Sequence, residues 1–309
     1  MAQQIDTVVA PDAAGGPGAR PGRSWRARLR SARVLIGILP FTIYVFLGLV
    51  LPAIAITVGA FQDSTTGEFT LSNIKTAASG IYLHGFGTTL GVAVITSIVP
   101  GVVGFLVAYA IFTAKRGAVL RRCVITASGV FANFGGVPLA FLFIATLGST
   151  GMVTQWLTDI GLNPYTNGFN LYTFSGIVVV YMYFQIPLMV LVVTPAIDGL
   201  RLEWAEAAEM LGASSWQYWR LIALPILWPS VMGAALLLFA NAFGAIATAY
   251  ALTGSSFNIA PILLYAQIRG DVLHDPNLGY ALALGMLAIT GASNLAYFGL
   301  RARSDRWLR

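Results

Sequence analysis

The sequence predicts an all-α integral membrane protein of six spanning helices, and three observations carry that prediction. Hydrophobic residues make up 57% of the 309 and charged residues only 10%, with a mean hydropathy of +0.76, outside the range of an ordinary soluble domain. Six uncharged apolar stretches, each longer than the ~20 residues that cross a hydrocarbon core, punctuate the chain. Basic residues gather between those stretches in a pattern that selects one orientation.

The first 20 residues are rich in Ala, Gly, Pro and Gln, and arginines follow at 20, 23, 26, 28, 30 and 33, so residues 1–33 are expected to form a disordered basic tail. The first apolar stretch, 34–60, exceeds the roughly 7–15 residues of a signal-peptide core and reads as a retained span. An outer loop then completes a variable segment, 34–84. The remaining stretches are 86–114, 123–147, 173–197, 226–252 and 278–300, inside a core of residues 85–300, before a basic C-terminus at 301–309. None holds Asp, Glu, Lys, Arg or His in its interior, where an ionised group costs about 2.5–3.5 kcal/mol even on the lenient insertion scale. Of the eighteen basic residues, all but Lys75 and Arg269 fall on one side of this topology, which makes that side, with both termini, cytoplasmic. The net charge of +6 follows from this arrangement and does not call for a nucleic-acid partner.

Loops near 61–85, 148–172 and 253–277 lie outside and contain Gly, Asn and Pro clusters typical of turns. In the third, 259–268 is apolar enough for a short interfacial helix or a continuation of the fifth span, while Asp275, Pro276 and Asn277 supply cap-type residues before the last span. Pro40, Pro52, Pro100, Pro138, Pro187 and Pro195 fall within or near spans, and each frees a backbone carbonyl that a neighbour must satisfy. Gly101, Gly104 and Ala108, and Gly233 and Ala234, permit close helix contact. Cys123 is the only cysteine, which excludes an internal disulfide and a cysteine-based metal site.

Between the fourth and fifth stretches lies a polar segment, EWAEAAEMLGASSWQYWRLIALP, residues 203–225. Trp204, Ala207, Ala208 and Leu211 recur at helical spacing and form an apolar stripe, with Glu203, Glu206 and Glu209 projecting elsewhere. Gly212 is expected to end that helix, Ser214 and Gln217 to form a capping box for a second short one, and Pro225 to limit it. Two short helices joined by a glycine elbow result.

Seven positions of this segment, Glu206, Ala207, Ala208, Gly212, Ile222, Leu224 and Pro225, match the signature (EAA) loop of the permease subunits of bacterial ABC importers, so the chain resembles that family with its type I fold. The resemblance implies that the elbow is a coupling helix. In that role Glu206 makes a charged contact in a groove of the ATPase, Ala207 and Ala208 allow close approach, and Ile222, Leu224 and Pro225 lead into the fifth span. It further implies as partners two cytoplasmic ABC ATPase subunits, a second permease subunit, identical or related, an extracytoplasmic solute-binding protein and the lipid bilayer of the bacterial cytoplasmic membrane. Cofactors are expected only there: ATP and Mg at the partner subunits, none on this chain. Consistently, Lys75 and Lys115 follow Ile74 and Ala114, so no Gly-Lys-Ser/Thr P-loop exists in the chain and it is no enzyme of its own.

Polar residues within the spans, Asn133, Gln185, Asn241 and Thr248, with Tyr250 close by, are candidates for the substrate path and equally for interhelical hydrogen bonding. Residues 131–148, FANFGGVPLAFLFIATLG, further resemble the polyamine, iron(III), thiamine and aminoethylphosphonate permeases. The alternative is an ion-coupled secondary transporter, which ordinarily carries an intramembrane carboxylate or histidine; here His84 and His274 both lie in outer loops.

Overall fold

A computed structural model describes residues 38–113, 117–166, 168–269 and 274–307. The expected tail 1–33, with Lys115, Arg116 and Arg309, lies outside them. The chain divides into two units, Met1–Ile54 and Ala55–Arg309.

In the first unit, the described residues belong to α1 (Ile38–Ala60). Phe41, Tyr44 and Leu49 are exposed by about two thirds or more, so this part of the helix has an apolar surface suited to lipid. A π turn over Phe46–Val50 interrupts it, with the Leu51 N–H donating to Phe46 O. The reason is Pro52, which cannot donate to the carbonyl four residues back and would crowd it; widening the preceding turn relieves both.

In the second unit the described residues form helices joined by turns, with a single antiparallel bridge between Gln62 and Phe69. After α2 (Ser72–Ala77) comes α3 (Gly80–Thr113), which begins well before the stretch expected from hydropathy. Helix α7 (Phe174–Asp198) forms the centre, burying Ile177, Val180, Tyr181, Met189 and Val193. It packs against α3, where a Cβ on Gly104 would stand 2.6 Å from Met189 Cβ and 2.8 Å from Ile186 O, closer than any side chain allows. The expected close contact at Gly104 is therefore real, and so is that at Gly233, beside Tyr297. The last span lies in α12 (Pro276–Trp307), where Asp275 Oδ1 accepts from the N–H groups of Asn277 and Leu278, both at 3.2 Å. Residues 260–269 form a separate helix, α11 (Ala260–Arg269), which resolves the third outer loop in favour of a short helix.

Two spans differ from the uninterrupted helices that hydropathy suggests. The stretch 123–147 is divided into α4 (Gly117–Asn133) and α5 (Gly136–Leu147) at Phe134 and Gly135. Gly136 has φ +70, a value that glycine adopts without strain, and Pro138 sits in the first turn of α5, where its missing N–H has no partner to lose. Helix α6 (Met152–Asp159) follows α5 after a tight turn. The second break divides the stretch 226–252 between α9 (Ser215–Gly244) and α10 (Ala247–Thr253) at Ala245 and Ile246.

Candidate functional site

The segment between the fourth and fifth spans folds as an elbow. Helix α8 (Leu202–Met210) ends in a Schellman motif: Gly212, at φ +77, donates to Glu209 O at 2.9 Å, and Ala213 N donates to Ala208 O at 3.0 Å. Ser214 then caps α9 reciprocally, its Oγ accepting from Gln217 N at 3.3 Å while Gln217 Oε1 accepts from Ser214 N at 2.7 Å. Glu203, Glu206 and Glu209 are all exposed. Glu203 lies in the first turn of α8, where the helix dipole favours an anion.

The apolar stripe is only half packed. Ala208 is buried and Trp204 partly so, under the Arg201 guanidinium carbon 5.9 Å from its ring, whereas Ala207 is exposed and Leu211 is 87% exposed. Leu211 leaves the stripe because the helix has already ended at Met210, which is itself 89% exposed. A groove of about 650 Å³ separates this elbow from the end of α3, with Thr113, Ala205, Ala208, Glu209 and Tyr218 on its walls.

Pro225 does not limit the second elbow helix. A π turn over Trp219–Ala223 lets Leu224 N donate to Trp219 O, five residues back, and Pro225 follows at the start of the regular helix, so residues 215–244 run on as one rod. This is the device seen at Pro52, again with Leu-Pro after the widened turn. Ile222 is half-buried and Leu224 exposed, so the segment beyond the elbow is part of the span rather than a linker. Arg121 of α4 pairs with Asp198 at the end of α7, which puts the predicted basic loop and the elbow at the same end of the bundle. At about 40% exposure on each side, that pair contributes no more than ~1 kcal/mol.

The two helix breaks meet. Gly136 N donates to Thr248 Oγ1 at 2.8 Å, and Tyr181, buried in α7, donates from its hydroxyl to Ala245 O at 2.5 Å. Each bond satisfies a backbone group released by a break, as a low-dielectric interior requires. Around them opens a cavity of about 360 Å³, walled by Asn133, Gly135, Phe184, Asn241, Ile246 and Thr248 among others, with no ionisable side chain among the described residues that line it.

Of the five polar residues named from sequence, Asn133, Asn241 and Thr248 line this cavity. Gln185 is fully buried behind it and acts as interhelical glue. Its Nε2 donates to Leu238 O at 2.7 Å and Thr96 O at 3.3 Å, and its Oε1 accepts from Asn241 Nδ2 at 3.0 Å. Thr96 is four residues before Pro100, so Gln185 supplies the donor that the proline lacks. Tyr250 instead packs against Tyr265, ring centroids 5.1 Å apart, and is not on the cavity wall. Phe184 and the break residues Gly135 and Ile246 were not singled out by sequence reasoning; the Gly135-Gly136 pair ahead of Pro138 was the available signal for the first break, and nothing comparable marks the second.

A helical membrane bundle with broken spans beside an open polar cavity and a polar elbow at one end has the build of a transport subunit. The chain belongs to the family of binding-protein-dependent transport system inner membrane components, whose profile matches residues 101–309. It is accordingly a permease subunit of an ABC importer, a class without an ATPase site of its own. Among its relatives, the probable sulfate transport system permease protein cysT of Nephroselmis olivacea is 23% identical over 73% of this chain and 76% of its own length. The sulfate transport system permease protein CysT of Escherichia coli strain K12 is 29% identical over 72% and 77%. The fold matches a bacterial ABC transporter involved in the import of the acidic polysaccharide alginate, at a TM-score of 0.70 and 17% identity, covering 92% of this chain and 99% of that one.

Proposed function

We propose that this permease moves a small anionic solute through the cavity at its helix breaks and receives the work for it through the elbow. The observation that carries the reading is the elbow's construction: a short helix with three exposed carboxylates, closed by a Schellman glycine and capped directly onto a continuous 30-residue rod. A push on α8 reaches the cavity wall along α9 without passing through a flexible linker. Glu203, Glu206, Ala207, Ala208 and Gly212 form the contact with the ATPase, and Ile222, Leu224 and Pro225 pass its motion on. Two ATPase subunits bind ATP and Mg, a second permease completes the path, and an extracytoplasmic binding protein delivers the solute. The elbow and both termini face the cytoplasm of a bacterium.

Switching such a bundle from 1:99 to 99:1 between its two facings takes about 5.5 kcal/mol of differential binding, which closure of the ATPases supplies. The cargo assignment draws on the sulfate permeases among the relatives, and the cavity lining, uncharged among the described residues, offers Asn133, Asn241 and Thr248 as neutral hydrogen-bonding groups. Of the solutes suggested by residues 131–148, polyamine, iron(III) and thiamine fall outside this anionic class, whereas an aminoethylphosphonate remains within it. The test is uptake of labelled sulfate and of labelled putrescine by vesicles holding the assembled transporter and its binding protein. Sulfate uptake that is lost in Glu206→Lys, together with ATPase association, supports the reading; putrescine uptake alone, or normal uptake by Glu206→Lys, contradicts it.

A further inference from the structure

We infer that the cleft between the end of α3 and the start of α9 is a binding site for one anionic phospholipid, with its phosphate at Arg220 and an acyl chain along Phe105, Leu106 and Leu224. This cleft, of about 330 Å³, adjoins the elbow groove, with Ser215 and Trp219 on the walls of both. Its walls change character with depth. At a rise of about 1.5 Å per residue, Arg220 lies roughly 7.5 Å from the start of α9 at Ser215, and Tyr109 roughly 6 Å from the end of α3 at Thr113. Tyr109 and Trp219 meet edge-on at 4.4 Å between centroids, which fixes the two helices in that register. The cation, the phenol and the Trp219 indole therefore share one level, with the Trp216 indole about one turn nearer the start of α9, the arrangement of a headgroup belt. About one turn deeper, Phe105, Leu106 and Leu224 leave an entirely apolar floor.

The graded wall selects the occupant. An extended peptide laid along the cleft would carry its backbone polar groups onto the apolar floor, where nothing could satisfy them, whereas a lipid has the matching order of charge above and hydrocarbon below. Leu106, Leu221 and Trp228 continue the floor outward at 56%, 69% and 56% exposure, so the cleft opens sideways into the lipid-facing surface. A net negative headgroup is favoured over a zwitterion because, among the described residues, no Asp or Glu stands on the wall to neutralise Arg220; Glu209, the acidic residue of the elbow closest in sequence, lines the adjoining groove. Because the same helix turn carries the elbow's cap, occupancy of the cleft would also brace the rod at its loaded end.

The experiment uses the full chain in phosphatidylcholine vesicles containing a minor fraction of either brominated phosphatidylglycerol or brominated phosphatidylcholine, with tryptophan quenching as the readout. Trp216, 72% exposed on the cleft, and Trp219 report occupancy. One interfacial arginine corresponds to about a fivefold preference for the anionic lipid. Wild type and Arg220→Lys should show that preference, Arg220→Gln should reduce it to near unity, and Arg201→Gln should leave it intact. Replacing Trp216 with Phe should lower the quenching amplitude without changing the preference. Equal quenching by both lipids in wild type, a preference that survives Arg220→Gln, or one that follows Arg201 would overturn the assignment. So would efficient cross-linking of a cysteine placed at Trp216 to a second copy of the chain.

Discussion

Gln185 offers the sharpest test of how the bundle centre is built. Replacing it with Leu removes three hydrogen bonds, to Leu238 O, Thr96 O and Asn241 Nδ2, from a site with no exposure. Interhelical bonds in membranes average ~0.6 kcal/mol, so the expected loss is about 2 kcal/mol. The proline makes the argument specific. In Pro100→Ala the helix of α3 regains a backbone N–H for Thr96 O, so the carbonyl no longer depends on Gln185. The double variant should then be less destabilised than the sum of the singles, with a coupling of about 0.6 kcal/mol and not above ~1.7. Reversible unfolding of the four proteins in mixed micelles measures this. Additive effects, or a Gln185→Leu cost within ~0.5 kcal/mol of zero, would refute the proposal that the side chain replaces the missing donor.

Other perturbations follow the same physics. Gly212→Ala forces a Cβ into φ +77 with open space around it, so its cost is backbone strain of about 1–2 kcal/mol, and Gly212→Asn should cost less; amide exchange in residues 202–218 should rise accordingly, first in the alanine variant. Gly104→Ala should destabilise by ~1–3 kcal/mol, read as a lower unfolding midpoint, because Met189 and the Ile186 carbonyl of α7 leave no room. The Asp63 carboxyl is held at about 2, below its ordinary 3.8, chiefly by the Thr65 hydroxyl and then by the backbone N–H groups of Thr65 and Thr66. Because the folded value is the depressed one, the carboxylate's support of the 62–69 turn is complete above 3.8 and disappears as pH falls through about 2. Carbon NMR of the Asp63 carboxyl should show this titration, and Thr65→Ala should move it upward.

The sequence disclosed what rests on local chemistry. Gly212, Ser214 and Gln217 specify the elbow because a left-handed residue and a reciprocal cap each have a distinct residue signature, and both formed where expected. Most span positions were legible from hydropathy, since long uncharged stretches have no soluble alternative, although the third candidate span falls at Gly136–Asp159 instead of 123–147. The first break carries a mark in Gly135-Gly136 ahead of Pro138, but the second does not, because apolar side chains continue through Ala245 and Ile246 with no proline or charge to mark the interruption; what holds that break is Tyr181, 64 residues earlier. Pro225 misled for a related reason. A proline's effect depends on the turn before it, and the π turn over Trp219–Ala223 absorbs a clash that would otherwise end the helix. Gln185 shows the same limit: its type admitted either cargo contact or helix pairing, and only its place behind Asn241 decides.

The claim on which the account depends is that α8 is pressed against an ATPase from the cytoplasmic side. After Cys123→Ser removes the native thiol, Met210→Cys places a single reporter at the exposed end of α8 while leaving its carboxylates in place, and a membrane-impermeant thiol reagent is applied to right-side-out and inverted vesicles, with and without the ATPase subunits. Labelling only in inverted vesicles, and protection when the ATPase is bound, is the predicted result. Labelling in right-side-out vesicles, or labelling in inverted ones that the ATPase leaves unchanged, would contradict it.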